Sequence, residues 1–173
     1  MWIYEYFERR GFQMVLRFLT YNYLIMIGIV SWMLAQLIKS IIFLCRNKRL
    51  DFKTLSGSGG MPSAHSALVC SVAVGTAHEY GFGSPYFSLA FTLAVIVMYD
   101  AMGVRRAAGQ QAKAINDIAE YLKENKCNLP DGGKYLKDTA SQLNESLGHT
   151  PLEVFAGVVL GICVAVVSII WLR

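Results

Sequence analysis

Four apolar runs leave this chain few ways to fold. From Leu19 to Leu44 the run is broken only by Asn22, Gln36, Lys39 and small polar residues, and further apolar segments occupy about 61–80, 86–104 and 151–172. Each comes close to the ~20 residues an α-helix needs to cross a hydrocarbon layer ~30 Å thick. Backbone N–H and C=O groups in lipid find no water, so such runs satisfy them internally as helices. A composition that is 54% hydrophobic argues against a soluble domain. The expected fold is all-α: a polytopic membrane helix bundle with about four transmembrane helices, one domain over residues 1–173. A cytoplasmic helical insert is expected at about 105–148.

The polar stretches refine this picture. Residues 1–18 mix aromatics with charges and suit an interfacial helix or a disordered lead. No cleavable signal peptide is evident there. In the insert, Ala107, Gln111, Ala114, Ile115, Ile118, Tyr121 and Leu122 share one helical face, and Leu129 to Gly133 ends that helix. A second helix is expected over Lys134 to Leu147. Cys45, Cys70, Cys127 and Cys163 have no metal-like spacing and read as reduced packing residues. Small residues recur every fourth position at Ser63, Ala67, Ser71 and Gly75, and Gly157 with Gly161 forms a GxxxG face. Such faces serve close helix packing, within one chain or in a homodimer.

Topology then selects a site. Four spans bring the end of the first, the start of the second, the end of the third and the start of the fourth to one side of the bilayer. Lys39, Ser63, His65, Asp100, Arg105, Arg106, His149 and Glu153 converge there. His78 falls at the far end of the second span, roughly 20 Å from His65 at 1.5 Å per residue. The loops of the site face carry Arg46, Lys48, Arg49, Lys53, Arg105, Arg106, Lys113, Lys123, Lys126, Lys134 and Lys137, whereas the other side has Arg9, Arg10, Arg17 and Arg173. This bias faces the site toward the cytoplasm, from a bacterial inner membrane or an organelle membrane.

Within that side, Ser58 to Ala67 is a glycine-rich turn running into a helix. Pro62 suits the first helical position, and the N–H groups of Ser63 and the preceding glycines would face an anion. Two histidines, several cations and a helix N-terminus suit a phosphoryl group. One histidine would attack phosphorus and the other protonate the leaving alkoxide. Glu153, one turn beyond His149, would orient that ring. This logic needs no cofactor. An alternative places Mg²⁺ between Asp100 and Glu153. By default Arg105 and Arg106 are anchors of the basic face, and Asp100 pairs with Arg105 or Lys39.

Pro62-Ser63-Ala64-His65 resembles the PSGH motif of the type-2 phosphatidic acid phosphatases, relatives of vanadium haloperoxidases. His149-Thr150-Pro151-Leu152-Glu153 resembles their second histidine motif, where an acid follows four positions later. The divergent branch of that superfamily is the nearer likeness. It extends over Ala35 to Lys39, Gly59 to Ala67, Asp100 to Ala112 and Leu147 to Val154. The resemblance implies an integral membrane phosphatase, a phosphoric ester or diphosphate hydrolase of phospholipid metabolism. It would act on a phospholipid or polyprenyl phosphate in the bilayer, with no role for nucleic acid. It implies His149 as nucleophile, His65 as leaving-group acid and Ser63 as phosphate ligand. Lys39 or Lys53 takes the place of the first-motif lysine. No arginine precedes His149 at the usual distance, so Arg105 or Arg106 would clamp the phosphate. The alternative function is an inactive protein that binds or transports an anionic lipid on the same fold.

Overall fold

The computed structural model describes residues 22–48, 60–124, 143 and 147–172. Five helices lie among them: α1 (Tyr23–Asn47), α2 (Ala64–Tyr80), α3 (Pro85–Met102), α4 (Val104–Glu124) and α5 (Pro151–Leu172). Three runs are long and apolar enough to cross a membrane, Tyr23–Arg46, Pro85–Leu122 and Pro151–Trp171. The apolar part of the second is α3; beyond it α4 is the amphipathic helix expected in the insert. The first eighteen residues, Lys53 and Cys127 lie outside the described residues, as does most of the helix expected over 134–147. Leu143 and Leu147, the two residues described in that stretch, are not helical.

Local chemistry sets the boundaries. The first helix starts at Tyr23, where the Asn22 side chain caps it, accepting from the Ile25 amide at 3.2 Å. Such a cap satisfies one of the helix's orphan N–H donors. Ser84 caps α3 in the same way, accepting from Phe87 N at 3.1 Å with Pro85 in the first turn. α2, expected as the second of about four spans, is not among the three helices long and apolar enough to cross a membrane, and it begins later than the apolar run suggests. Ser63, not Pro62, ends the preceding turn: its hydroxyl accepts from Ser66 N, and α2 starts at Ala64. Pro62 therefore precedes the cap instead of occupying the first helical position, in a cis Met61–Pro62 linkage.

α2 is the hub, packed against α1, α3 and α5. At 17 residues it is the shortest of the five, about 25 Å long. It buries Ala64, Ser66, Ala67, Ser71, Ala73, Gly75, Thr76 and Ala77 among others. The large apolar side chains point the other way: Leu37, Ile41, Leu89, Phe91, Ile96, Phe155 and Ile170 are exposed on α1, α3 and α5. In lipid this is the stable arrangement. Bulky apolar groups gain nothing by turning inward, whereas small residues let backbones approach closely.

Three of the hydroxyls inside the bundle are satisfied by backbone carbonyls. Ser31 Oγ donates to Ala67 O at 3.0 Å, Ser71 to Leu68 O at 2.8 Å and Thr76 to Val72 O at 2.7 Å. The tightest contact joins α2 to α5. A Cβ on Gly157 would strike the Ser63 carbonyl oxygen, and one on Gly161 the Ala67 carbonyl oxygen. The GxxxG face of α5 is thus spent inside the chain. Gly161→Val should destabilise the bundle by the ~1–3 kcal/mol typical of overpacking or more, read as a lower unfolding midpoint in detergent. Gly83→Ala, placed where nothing lies within 4 Å, should leave it unchanged.

Candidate active site

The starts of α2 and α5 are fastened together at the site end. Ser63 N donates to the Glu153 carbonyl at 3.0 Å. This amide, expected to face an anion, is therefore committed to helix packing. The Ser63 hydroxyl is fully buried and takes up the Ser66 hydroxyl at 3.0 Å besides capping α2.

Thr150 to Glu153 forms a capping box at the start of α5. Thr150 N donates to Glu153 Oε2 at 2.9 Å, and Glu153 N donates to Thr150 Oγ1 at 3.4 Å. The reciprocal pair satisfies two orphan amides. The same Oε2 lies 3.2 Å from His149 Nδ1. With Glu153 ionised, Nδ1 carries the proton and donates it to the carboxylate, so Nε2 keeps its lone pair. Nε2 is buried and has no hydrogen-bond partner among the described residues.

His149 arrives at this position through a strained turn. Gly148 has φ +87, a conformation costly for any residue with a Cβ. A side chain there would also collide with the Arg105–Arg106 backbone. The His149 amide donates to Ala101 O at 3.0 Å, tying the turn to the end of α3. Only 3% of His149 is exposed. Burial holds its imidazole below the ordinary value of 6.5, and nearby Lys39 and His65 push in the same direction. The Glu153 hydrogen bond and charge work against them.

His65, Asp100, Arg105 and His149 line one cavity of about 210 Å³, closed on its apolar side by Ile96, Val97 and Ala101. Of the eight side chains that the span topology brings to this end, these four share the cavity. His65 is exposed, within the first turn of α2. Asp100 is paired with Arg105 at 2.6 Å. Lys39 is 95% buried, and its stem runs over Gly60, where a Cβ would stand 3.4 Å from Lys39 Cδ. It is close enough to act on the charge of both His149 and Glu153. Arg106 is exposed, its backbone supporting Gly148. His78 lies exposed near the far end of α2. Among the described residues no group of three or more His, Cys, Asp or Glu is arranged to hold a metal.

Two features escaped the sequence reading. The Thr-x-x-Glu capping box was legible as a motif. The interruption at Gly103, which joins α3 to α4, had only the glycine itself as a signal.

The model of the Divergent PAP2 family matches residues 20–164, which include every residue of the cavity. The chain is 38% identical over 150 residues to YuiD, an uncharacterized membrane protein of Bacillus subtilis (strain 168). That match covers 84% of this chain and 93% of the relative. No solved structure matches significantly.

Because Glu153 raises the His149 pKa, Glu153→Gln should move the imidazole titration further down, to lower pH. Histidine NMR of the variant beside the parent checks this. Gly148→Ala should displace His149 and abolish the same perturbed resonance.

Proposed function

The chain belongs to the Divergent PAP2 family, and from that premise we propose that it is a membrane lipid-phosphate phosphatase working through a phosphohistidine. It would hydrolyse a lipid phosphomonoester or diphosphate. The observation that carries this reading is the state of His149: Nδ1 held by Glu153, Nε2 buried and unpartnered, in a cavity shared with a second histidine and an arginine. A histidine kept neutral and fixed in one tautomer is what attack on phosphorus requires.

In the first step Nε2 of His149 forms the N–P bond as the P–O bond to the lipid alkoxide breaks. His65 donates its proton to that alkoxide. Arg105 and the buried Lys39 ammonium balance the charge on the non-bridging oxygens. In the second step His65, now neutral, takes a proton from water. The water oxygen attacks phosphorus, the N–P bond breaks, and inorganic phosphate leaves with His149 restored. The exposure of His65 fits this exchange with solvent, and the burial of His149 fits a nucleophile shielded from protonation. Glu153 acts on the reaction through His149, by orienting the ring and stabilising the imidazolium-like state that forms as the N–P bond is made. The basic loops support a site facing the cytoplasm, with the lipid tail remaining in the bilayer.

The test is phosphate release by the purified chain in detergent from a panel of lipid phosphates and diphosphates, with and without chelator. Chelator-resistant release that disappears in His149→Ala is the expected result. Release lost to chelator and restored by Mg²⁺ would instead favour metal chemistry at Asp100 and Glu153. A folded chain that binds these lipids but releases nothing would favour the binding or transport alternative.

His65→Ala should slow release by roughly 10²–10⁴-fold, most for poor leaving groups and least for a phenolic ester. The pH dependence follows from His149. Its folded pKa lies below 6.5, so the neutral nucleophile persists into mildly acidic solution. The acid limb of kcat/KM governed by His149 should have its midpoint below 6.5. A chain whose acid limb lies above 6.5 would contradict this.

A further inference from the structure

Asp100 and Arg105 stand five residues apart, a spacing that does not normally allow an ion pair. On an unbroken α-helix such positions are about 140° apart around the axis, whereas residues three or four apart are neighbours. They meet at 2.6 Å here because the helix is interrupted. Gly103 has φ −99 and ψ −88, and α4 restarts at Val104. The interruption also leaves the Ala101 carbonyl to the His149 amide. In a continuous helix that carbonyl would serve Arg105 N. One irregularity therefore registers both Arg105 and His149 against the end of α3.

The pair itself adds little stability. Both side chains are partly exposed, at 49% and 37%, and ion pairs in such surroundings are largely screened by solvent. Its value is directional. The contact runs through Nε, the inner nitrogen of the guanidinium, so the outer Nη groups lie beyond it. Arg105 and Asp100 both line the cavity that holds His149. The stretch from Leu147 to Leu172, which carries His149, contains no arginine of its own.

We propose that Asp100 is a positioning residue that fixes the Arg105 guanidinium so that its outer edge binds the non-bridging oxygens of a phosphate group beside His149. The proposal rests on the phosphate-site reading given above. Asp100 does not touch the phosphate; it acts by removing the rotamer freedom of Arg105 before the anion arrives. Two N–H groups presented in a fixed plane match two oxygens of one phosphate, which a freely turning arginine does not.

The experiment is orthovanadate binding to the full chain in detergent by calorimetry, with unfolding midpoints of every variant measured in the same detergent. Asp100→Ala and Arg105→Ala should each weaken binding about tenfold, the scale of one charge-assisted contact. The double variant should bind no worse than either single one, because the two residues act as a unit. Asp100→Asn keeps an acceptor for Nε and should restore affinity to within about threefold of the parent. Parental affinity in Asp100→Ala, tighter binding in that variant, or losses that add in the double variant would each overturn the proposal. So would a parent chain that does not bind orthovanadate. Turnover is not needed for this readout. A chain that binds orthovanadate with the expected coupling but hydrolyses no lipid phosphate defeats the hydrolase reading and leaves the role of Asp100 intact.

Discussion

The whole arrangement depends on the closeness with which α2 and α5 meet. Their backbones touch where Gly157 and Gly161 face the carbonyls of Ser63 and Ala67, and the Ser63 amide closes the contact on the Glu153 carbonyl. Each helix carries one histidine near its first turn. Fastening the two starts together therefore places His65 and His149 on one cavity wall with no motif linking them in sequence. A wider helix pair, separated by even one larger side chain, would hold the same residues apart. Packing in lipid is set by such contacts more than by apolar burial, so specificity of the site and specificity of the fold have the same origin.

A second consequence follows from α2 being central and short. Its longer neighbours meet the lipid with their bulky faces, while α2 is surrounded by protein along its flanks. Ser63 at its start is thus enclosed by protein, while His65 one turn in stays exposed. Buried there, Lys39 approaches Glu153 and His149 without being dissolved in hydrocarbon. An intramembrane lysine normally marks function or a partner, because an isolated charge in the bilayer is costly.

Most of this was legible in the sequence wherever a single helix decided the outcome. The apolar runs mark the spans to within a few residues, and the parity of crossings brings His65, Asp100, Arg105 and His149 to one end. The misplaced start of α2 shows where such reasoning weakens. Pro62 and Ser63 both favour helix starts, and the choice was made by a tertiary bond from Ser63 N to α5. The pairing of Asp100 with Arg105 was anticipated as one of two options, but its geometry depends on a break at Gly103 that helical periodicity does not describe. Ser63 illustrates the same limit: its polar atoms look available on a helix N-terminus, but its amide is taken by the Glu153 carbonyl of the neighbouring helix and its hydroxyl by Ser66 of its own.

The shared oxygen of Glu153 ties biosynthesis to chemistry. One atom, Oε2, both caps the start of α5 and holds the His149 ring. Of the five helices, α5 emerges from the ribosome last. Until it enters the bilayer and begins at Thr150, the imidazole has no fixed tautomer and the Ala101 carbonyl has no histidine amide. The contact that completes the bundle therefore also fixes the tautomer of His149 and the turn that carries it.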